Sequence, residues 1–211
     1  GYGGSAKGVQ VVTAASDAAF VGDEPLLLAQ RAGCPVFVGR DRVAAARALL
    51  SAHPDCNVLL ADDGLQHLRL ARDVEIVVMD ERGIGNGWPL PAGPLRECPA
   101  RVAEADVLVL NGDAPVPSQV GPRRVFRMRL VGDRWRNLHD PQRTCGAAEL
   151  RGRRLHALAG IGNPLRFFRQ VEQMGLQAQS HAFPDHHVFR PSDLTFAGTD
   201  TLLMTEKDAV K

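Results

Sequence analysis

Apolar residues along this chain fall in short runs separated by turn and polar residues. Residues 9–13, 35–38, 57–61, 74–79 and 107–110 are rich in Val, Ile and Leu. Runs of this length bounded by turn signals predict buried strands of a parallel sheet. Between them, residues 25–31, 42–52 and 99–105 predict helices, the first closed by Gly33. The same alternation resumes later, with strands at 155–159, 177–182 and 201–204 and a helix at 165–174. Strands alternating with helices define an α/β protein with a mostly parallel sheet, followed here by a second, smaller α/β unit.

The segments between the runs set the expected organisation. Residues 80–99 form a long loop punctuated by Gly85, Gly87, Pro91, Gly93 and Pro94. A loop of this length inside a domain usually serves a function, and its composition suggests a shaped lid. Residues 114–122 are Pro-rich and read as a linker. Residues 125–130 and 134–138 flank Val131-Gly132-Asp133 and predict a β-ribbon. The expected division is therefore 1–122 and 123–211, joined by that ribbon.

Composition narrows the picture. A formal net charge of +1 argues against a dedicated nucleic-acid binder. Arginines do cluster locally, at Arg123, Arg124, Arg127 and Arg129, then Arg134 and Arg136, then Arg151, Arg153 and Arg154. Such a stripe suits either solvent or an anionic lipid surface. Cys34, Cys56, Cys98 and Cys145 are scattered, with no zinc or disulfide pattern. That usage fits a reducing, cytoplasmic compartment. No run of 18 apolar residues is present.

The sharpest candidate chemistry is the run ending in Ala61-Asp62-Asp63-Gly64-Leu65-Gln66-His67. It reads as a strand that stops in two carboxylates, where an open α/β sheet places its ligands. Neighbouring side chains on a strand point to opposite faces, so the two acids are not equivalent. In nucleotide-binding sheets an acid at a strand end holds Mg²⁺. An ordinary Asp-Gly turn is the competing reading. Asp23 precedes Pro25 and an apolar helical run, which suits a helix N-cap; Glu24 suits the helix dipole. In Phe183-Pro184-Asp185-His186-His187, either histidine could be structural or could partner an acid. Arg96 is either a solvated loop residue or a planar fork for a phosphate. His67 is a hydrogen-bonded histidine or a site residue. Gly160 to Pro164 reads as a plain βα turn, with Asn163 as cap and Pro164 at the first helical position.

Five segments taken together resemble one family. They are Gly22-Asp23-Glu24-Pro25, Asp62 to His67, Leu90-Pro91-Ala92-Gly93-Pro94-Leu95-Arg96-Glu97, Phe183 to His187, and Met204-Thr205-Glu206-Lys207-Asp208-Ala209. In this order and spacing they are similar to the tetraacyldisaccharide 4'-kinases, the lipid A 4'-kinases of Gram-negative bacteria. The resemblance implies a P-loop-kinase-like fold. It implies ATP and Mg²⁺ as cofactors and a tetraacyldisaccharide 1-phosphate, the lipid A precursor, as acceptor. The expected location is the cytoplasmic face of the inner membrane. It also implies roles: Asp23 as general base, paired with a histidine of the 183–187 motif, His186 by position; Asp62 and Asp63 at Mg²⁺; Gln66 and His67 at the site edge. Glu24, Arg42 and Arg96 would lie toward substrate, Arg96 at the 1-phosphate, with Tyr2 placed to stack or bond there. The site is expected in a cleft between the two domains.

One element of the family pattern does not occur. No G-x-x-x-x-G-K-[ST] phosphate loop is found in the sequence. The expectation is an internal piece of a longer kinase, without its first strand and P-loop and inactive alone. Two rivals remain from the residues themselves. One is a metal-dependent phosphoesterase using Asp62, Asp63 and His67 with Asp185, His186 and His187. The other is a non-catalytic lipid-binding module.

Overall fold

The computed structural model describes residues 4–118, 124–132 and 134–211. The chain divides into two compact units: residues 1–62 with 133–211, and residues 63–132. This division cuts across the expected boundary at 122. The middle of the chain closes on itself, and the sequence on either side of it builds the other unit.

The first unit opens with β1 (Gln10–Val12), the short helix α1 (Ala18–Val21), α2 (Asp23–Arg31), β2 (Val36–Val38) and α3 (Arg42–Ala52). Asp17 caps α1 by accepting from the Ala19 N–H, and Asp41 caps α3 through the Val43 and Ala44 N–H groups. β1 and β2 pair antiparallel, contrary to the parallel expectation. Val12, Val21, Leu26 and Val38 form the core between these elements.

The rest of this unit comes from the C-terminal third. β8 (Leu155–Ala159) is buried throughout and lies between β10 (Thr201–Met204) and β9 (Gln179–Ala182), parallel to both. Burial on both faces explains its unbroken apolar sequence apart from His156. α5 (Pro164–Gln173) returns from β8 and buries Phe168 and Val171 against the sheet. The short α4 (Ala147–Leu150) adds Leu150, and α6 (Glu206–Ala209) follows β10. β6 (Arg134–Arg136) and β7 (Thr144–Gly146) form a small antiparallel ribbon, with Trp135 packing edge-on to Phe167.

The second unit contains β3 (Ile76–Met79), β4 (Val107–Asn111) and β5 (Arg124–Met128), all parallel, with β4 central. A 3₁₀ segment, Pro99–Glu104, stands where a helix was expected. Met79, Leu108, Leu110 and Ala114 form its core.

Two further expectations fail here. Residues 57–61 are not a strand: Val58, Leu59 and Leu60 are 69%, 43% and 90% exposed, and none of the described residues pairs with them. An apolar run becomes a strand only where a neighbour satisfies its backbone groups. The ribbon expected from residues 125–130 and 134–138 does not form either. β5 joins β4 instead, and β6 pairs with β7. Asp133 and residues 119–123, part of the expected linker, lie outside the described residues, whereas Ala114 at the linker's start is fully buried.

Candidate active site

The three parallel strands of the first unit deliver their C-terminal ends to one place. β8 leads into Gly160, β9 into residues 183–187, and β10 into Thr205 and α6. This is the edge where open α/β sheets bind ligands. A Cβ on Gly160 would press on Phe189, on Asp208 Oδ1 and on the Pro184 carbonyl at 3.2–3.3 Å, so any larger residue would push these close-set segments back by a few tenths of an ångström.

Asp23 arrives at this edge from α2. It is not the N-cap expected from sequence. Gly22 holds that position at φ 98°, a conformation that favours glycine, and Asp23 is the first helical residue. Its Oδ1 accepts the Glu24 N–H at 2.8 Å, and its Oδ2 lies 3.0 Å from His186 Nδ1. Asp23 is only 5% exposed, while the His186 side chain keeps 28%. His186 reaches it from a left-handed backbone, φ 59°, with its own N–H bound to Asp185 Oδ1. His187 turns elsewhere, with Nε2 at 3.0 Å from Asp193. The geometry thus separates the two histidines that the sequence left open. Asp23 and His186 both belong to the first unit, not to opposite domains.

Two lysines complete the cluster, and the sequence reading placed neither in the site. Lys207 Nζ lies 2.9 Å from Glu24 Oε1, 3.6 Å from Asp185 Oδ1 and 4.0 Å from Asp23 Oδ2. Burial pulls its pKa down, but the hydrogen bond to Glu24 and the charges of Glu24, Asp23 and Asp185 more than offset this, and the net shift is upward. Lys211, 4% exposed, donates to the Gly160 carbonyl at 2.6 Å and to Asp208 at 2.8 Å, and lies 3.8 Å from Asp23. Asp208 is itself buried, held by the Thr205 hydroxyl and the Gly160 N–H. The available signal was the Thr205-Glu206-Lys207-Asp208 motif; Lys211, a lone lysine beyond it, carried none.

The remaining candidates are arranged separately. Asp62 is exposed, and its carbonyl accepts from Arg42 at 3.4 Å. Within the second unit, Asp63 at φ 49° is gripped by both Nη groups of Arg96, at 2.8 and 2.5 Å. The Arg96 fork expected for a phosphate is therefore occupied by a carboxylate, which holds the guanidinium pKa up. Gln66 bonds to Glu97, and His67 is half-buried. Tyr2 lies outside the described residues. The 80–98 loop is cross-linked by its own backbone, with Leu90 N–H to the Leu95 carbonyl and Leu95 N–H to the Trp88 carbonyl.

The donor set at Asp62 and Asp63 is hard oxygen. It fits Mg²⁺, which is commonly held by one or two carboxylates together with nucleotide phosphates. Among the described residues no three His, Cys, Asp or Glu side chains are grouped to hold a metal ion. The Asp185-His186-His187 triplet is instead divided among Lys207, Asp23 and Asp193.

Fold and site together define an α/β protein with a buried acid–histidine pair at the C-terminal edge of a parallel sheet. Comparison with known proteins carries this further. The family model for tetraacyldisaccharide-1-P 4'-kinase matches residues 1–211, and the chain belongs to that family. It is 57% identical over 212 residues to the tetraacyldisaccharide 4'-kinase of Azoarcus sp. and 54% identical over 214 residues to that of Dechloromonas aromatica. All of this chain is covered in both cases, but it spans only 62% and 63% of those relatives. A crystal structure described as the "apo" form of LpxK from Aquifex aeolicus in complex with ATP is similar over 99% of this chain and 67% of its own. The TM-score is 0.74 at 25% identity, and the α/β class expected from the sequence holds.

Proposed function

We propose that this chain forms the acceptor-activating part of an ATP-dependent lipid kinase. The reaction transfers the γ-phosphoryl group of ATP to the 4'-hydroxyl of a tetraacyldisaccharide 1-phosphate, in lipid A biosynthesis. The observation that carries the reading is the buried Asp23 carboxylate paired with His186 at the ligand edge of the sheet. Family membership and the likeness to an ATP complex supply the substrate classes.

Asp23 accepts the hydroxyl proton as the sugar oxygen bonds to phosphorus and ADP departs with the electrons of the broken P–O bond. His186 orients that carboxylate and shares the proton it receives. Asp62 and Asp63 would hold Mg²⁺, which supplies charge neutralisation on the phosphates; Arg96 fixes Asp63 in place. Arg42 braces the Asp62 backbone. Glu24, Gln66 and His67 border the substrate. Such a lipid acceptor places the enzyme at the cytoplasmic face of the inner membrane, although no helix among the described residues is long and apolar enough to cross one.

The test is phosphate transfer from radiolabelled ATP to the lipid disaccharide by the full-length protein. Removal of divalent metal with a chelator should abolish transfer, and Mg²⁺ should restore it. Metal-dependent release of phosphate from the lipid, with no transfer from ATP, would instead support a phosphoesterase.

A further inference from the structure

Four charged groups border the Asp23–His186 pair, two of them cations, and a fifth, Asp208, stands behind them. From α2 itself comes Glu24; from the segment after β9 comes Asp185; from the segment after β10 come Lys207 and Lys211, with Asp208 behind Lys211. Four carboxylates, counting Asp23, meet two ammonium groups. The cluster is therefore net negative, and the two ammonium groups offset part of the charge around Asp23.

The lysines are not equivalent. Lys211 is buried and committed to Asp208 and the Gly160 carbonyl, so its charge is largely spent in bracing the end of β8. Lys207 remains one-fifth exposed and reaches three carboxylates at once. We infer that Lys207 is a positioning residue that sets the proton affinity of Asp23. Its ammonium stands 4.0 Å from the Asp23 carboxylate, and its bond to Glu24 fixes the first turn of α2, from which Asp23 projects. The lysine keeps its proton throughout. The proton from the acceptor hydroxyl enters the Asp23–His186 pair, the new O–P bond forms, and ADP leaves with the electron pair of the broken bond.

This inference rests on the kinase reading, and its test keeps the two apart. An opposite charge within about 4–6 Å lowers a carboxyl pKa by roughly one unit or more. In the full-length protein, Lys207→Met should therefore move the acid limb of the kcat–pH profile upward by about one pH unit, because Asp23 then ionises at higher pH. Lys207→Arg should return the limb toward its original position. The Asp23 carboxyl, followed directly by ¹³C NMR titration, should shift in the same direction and by a similar amount. A purely structural lysine predicts lower kcat at every pH with the limb and the carboxyl titration unmoved, and that result would overturn the inference. Should the wild-type protein fail to transfer phosphate, the kinase reading falls, while the carboxyl titration still decides whether Lys207 tunes Asp23.

Discussion

Asp23 illustrates how one side chain can satisfy local and distant demands together. Locally it is an acid in the first turn of a helix, bonded to the next N–H. At long range it meets a histidine 163 residues away. Because Gly22 occupies the cap, Asp23→Asn leaves the helix start intact while removing the carboxylate. We expect kcat of the full-length enzyme to fall by roughly 10²–10⁴, the usual range for general acid–base catalysis. KM for ATP should change little. Asp23→Ala and His186→Ala should each do comparable damage, and the double variant little more, since residues acting as a unit are non-additive. Kinetics on the four proteins check this, and full activity in Asp23→Asn would discard the catalytic role. From the residues alone, Asp23 and His186 were only two candidates among ordinary roles. Lys211 was invisible, because a lone lysine acquires meaning only when folding brings Gly160 and Asp208 beside it.

At the scale of elements, legibility followed how local each decision is. Helix α3 and strands β8 and β10 stand at their expected bounds, since a capping Asp, an Ala-rich run or a mostly apolar strand settles them within a few residues. Pairing is different. β1 with β2, and β5 with β4 in place of a ribbon, depend on which strand edge is nearby, and no local pattern records that. The run at 57–61 shows the reverse error: strand-like composition without a partner. The 80–98 loop can be tested in the same terms. A Cβ at Gly93 would drive into the Asn86 side chain and the Trp88 carbonyl, both rigid parts of the loop's own network. We expect Gly93→Ala to destabilise by roughly 1–3 kcal/mol, as overpacking usually does. Hydrogen exchange should speed up from Asn86 to Leu95 while β8 remains protected.

For the molecule as a whole, a histidine pair between β8 and β9 sets an acid limit. His156, buried on β8, lies with Nδ1 3.0 Å from His181 Nε2, and His181 stacks on Phe196. In that bond one ring must donate and the other accept. Burial, and then the neighbouring His156, hold the His181 pKa below its ordinary value of about 6.5. A base with a depressed folded pKa stabilises above the unfolded value and loses that contribution as pH falls through the folded one. The melting temperature should therefore decline below about pH 6.5. His181→Gln should flatten that decline, as thermal melts from pH 8 to 5 will show.

The order in which the chain is made adds a consequence of its division into 1–62 with 133–211 and an intervening 63–132. Emerging from the ribosome, the intervening piece has all its strand partners within reach as soon as it is complete. The segment carrying Asp23 does not, since its partners in the segments after β9 and β10 have yet to be synthesised. Closing so long a loop costs more entropy than closing a short one and slows folding. Until the 183–187 segment has emerged, α2 and its acid therefore wait, and the Asp23–His186 pair assembles only after it.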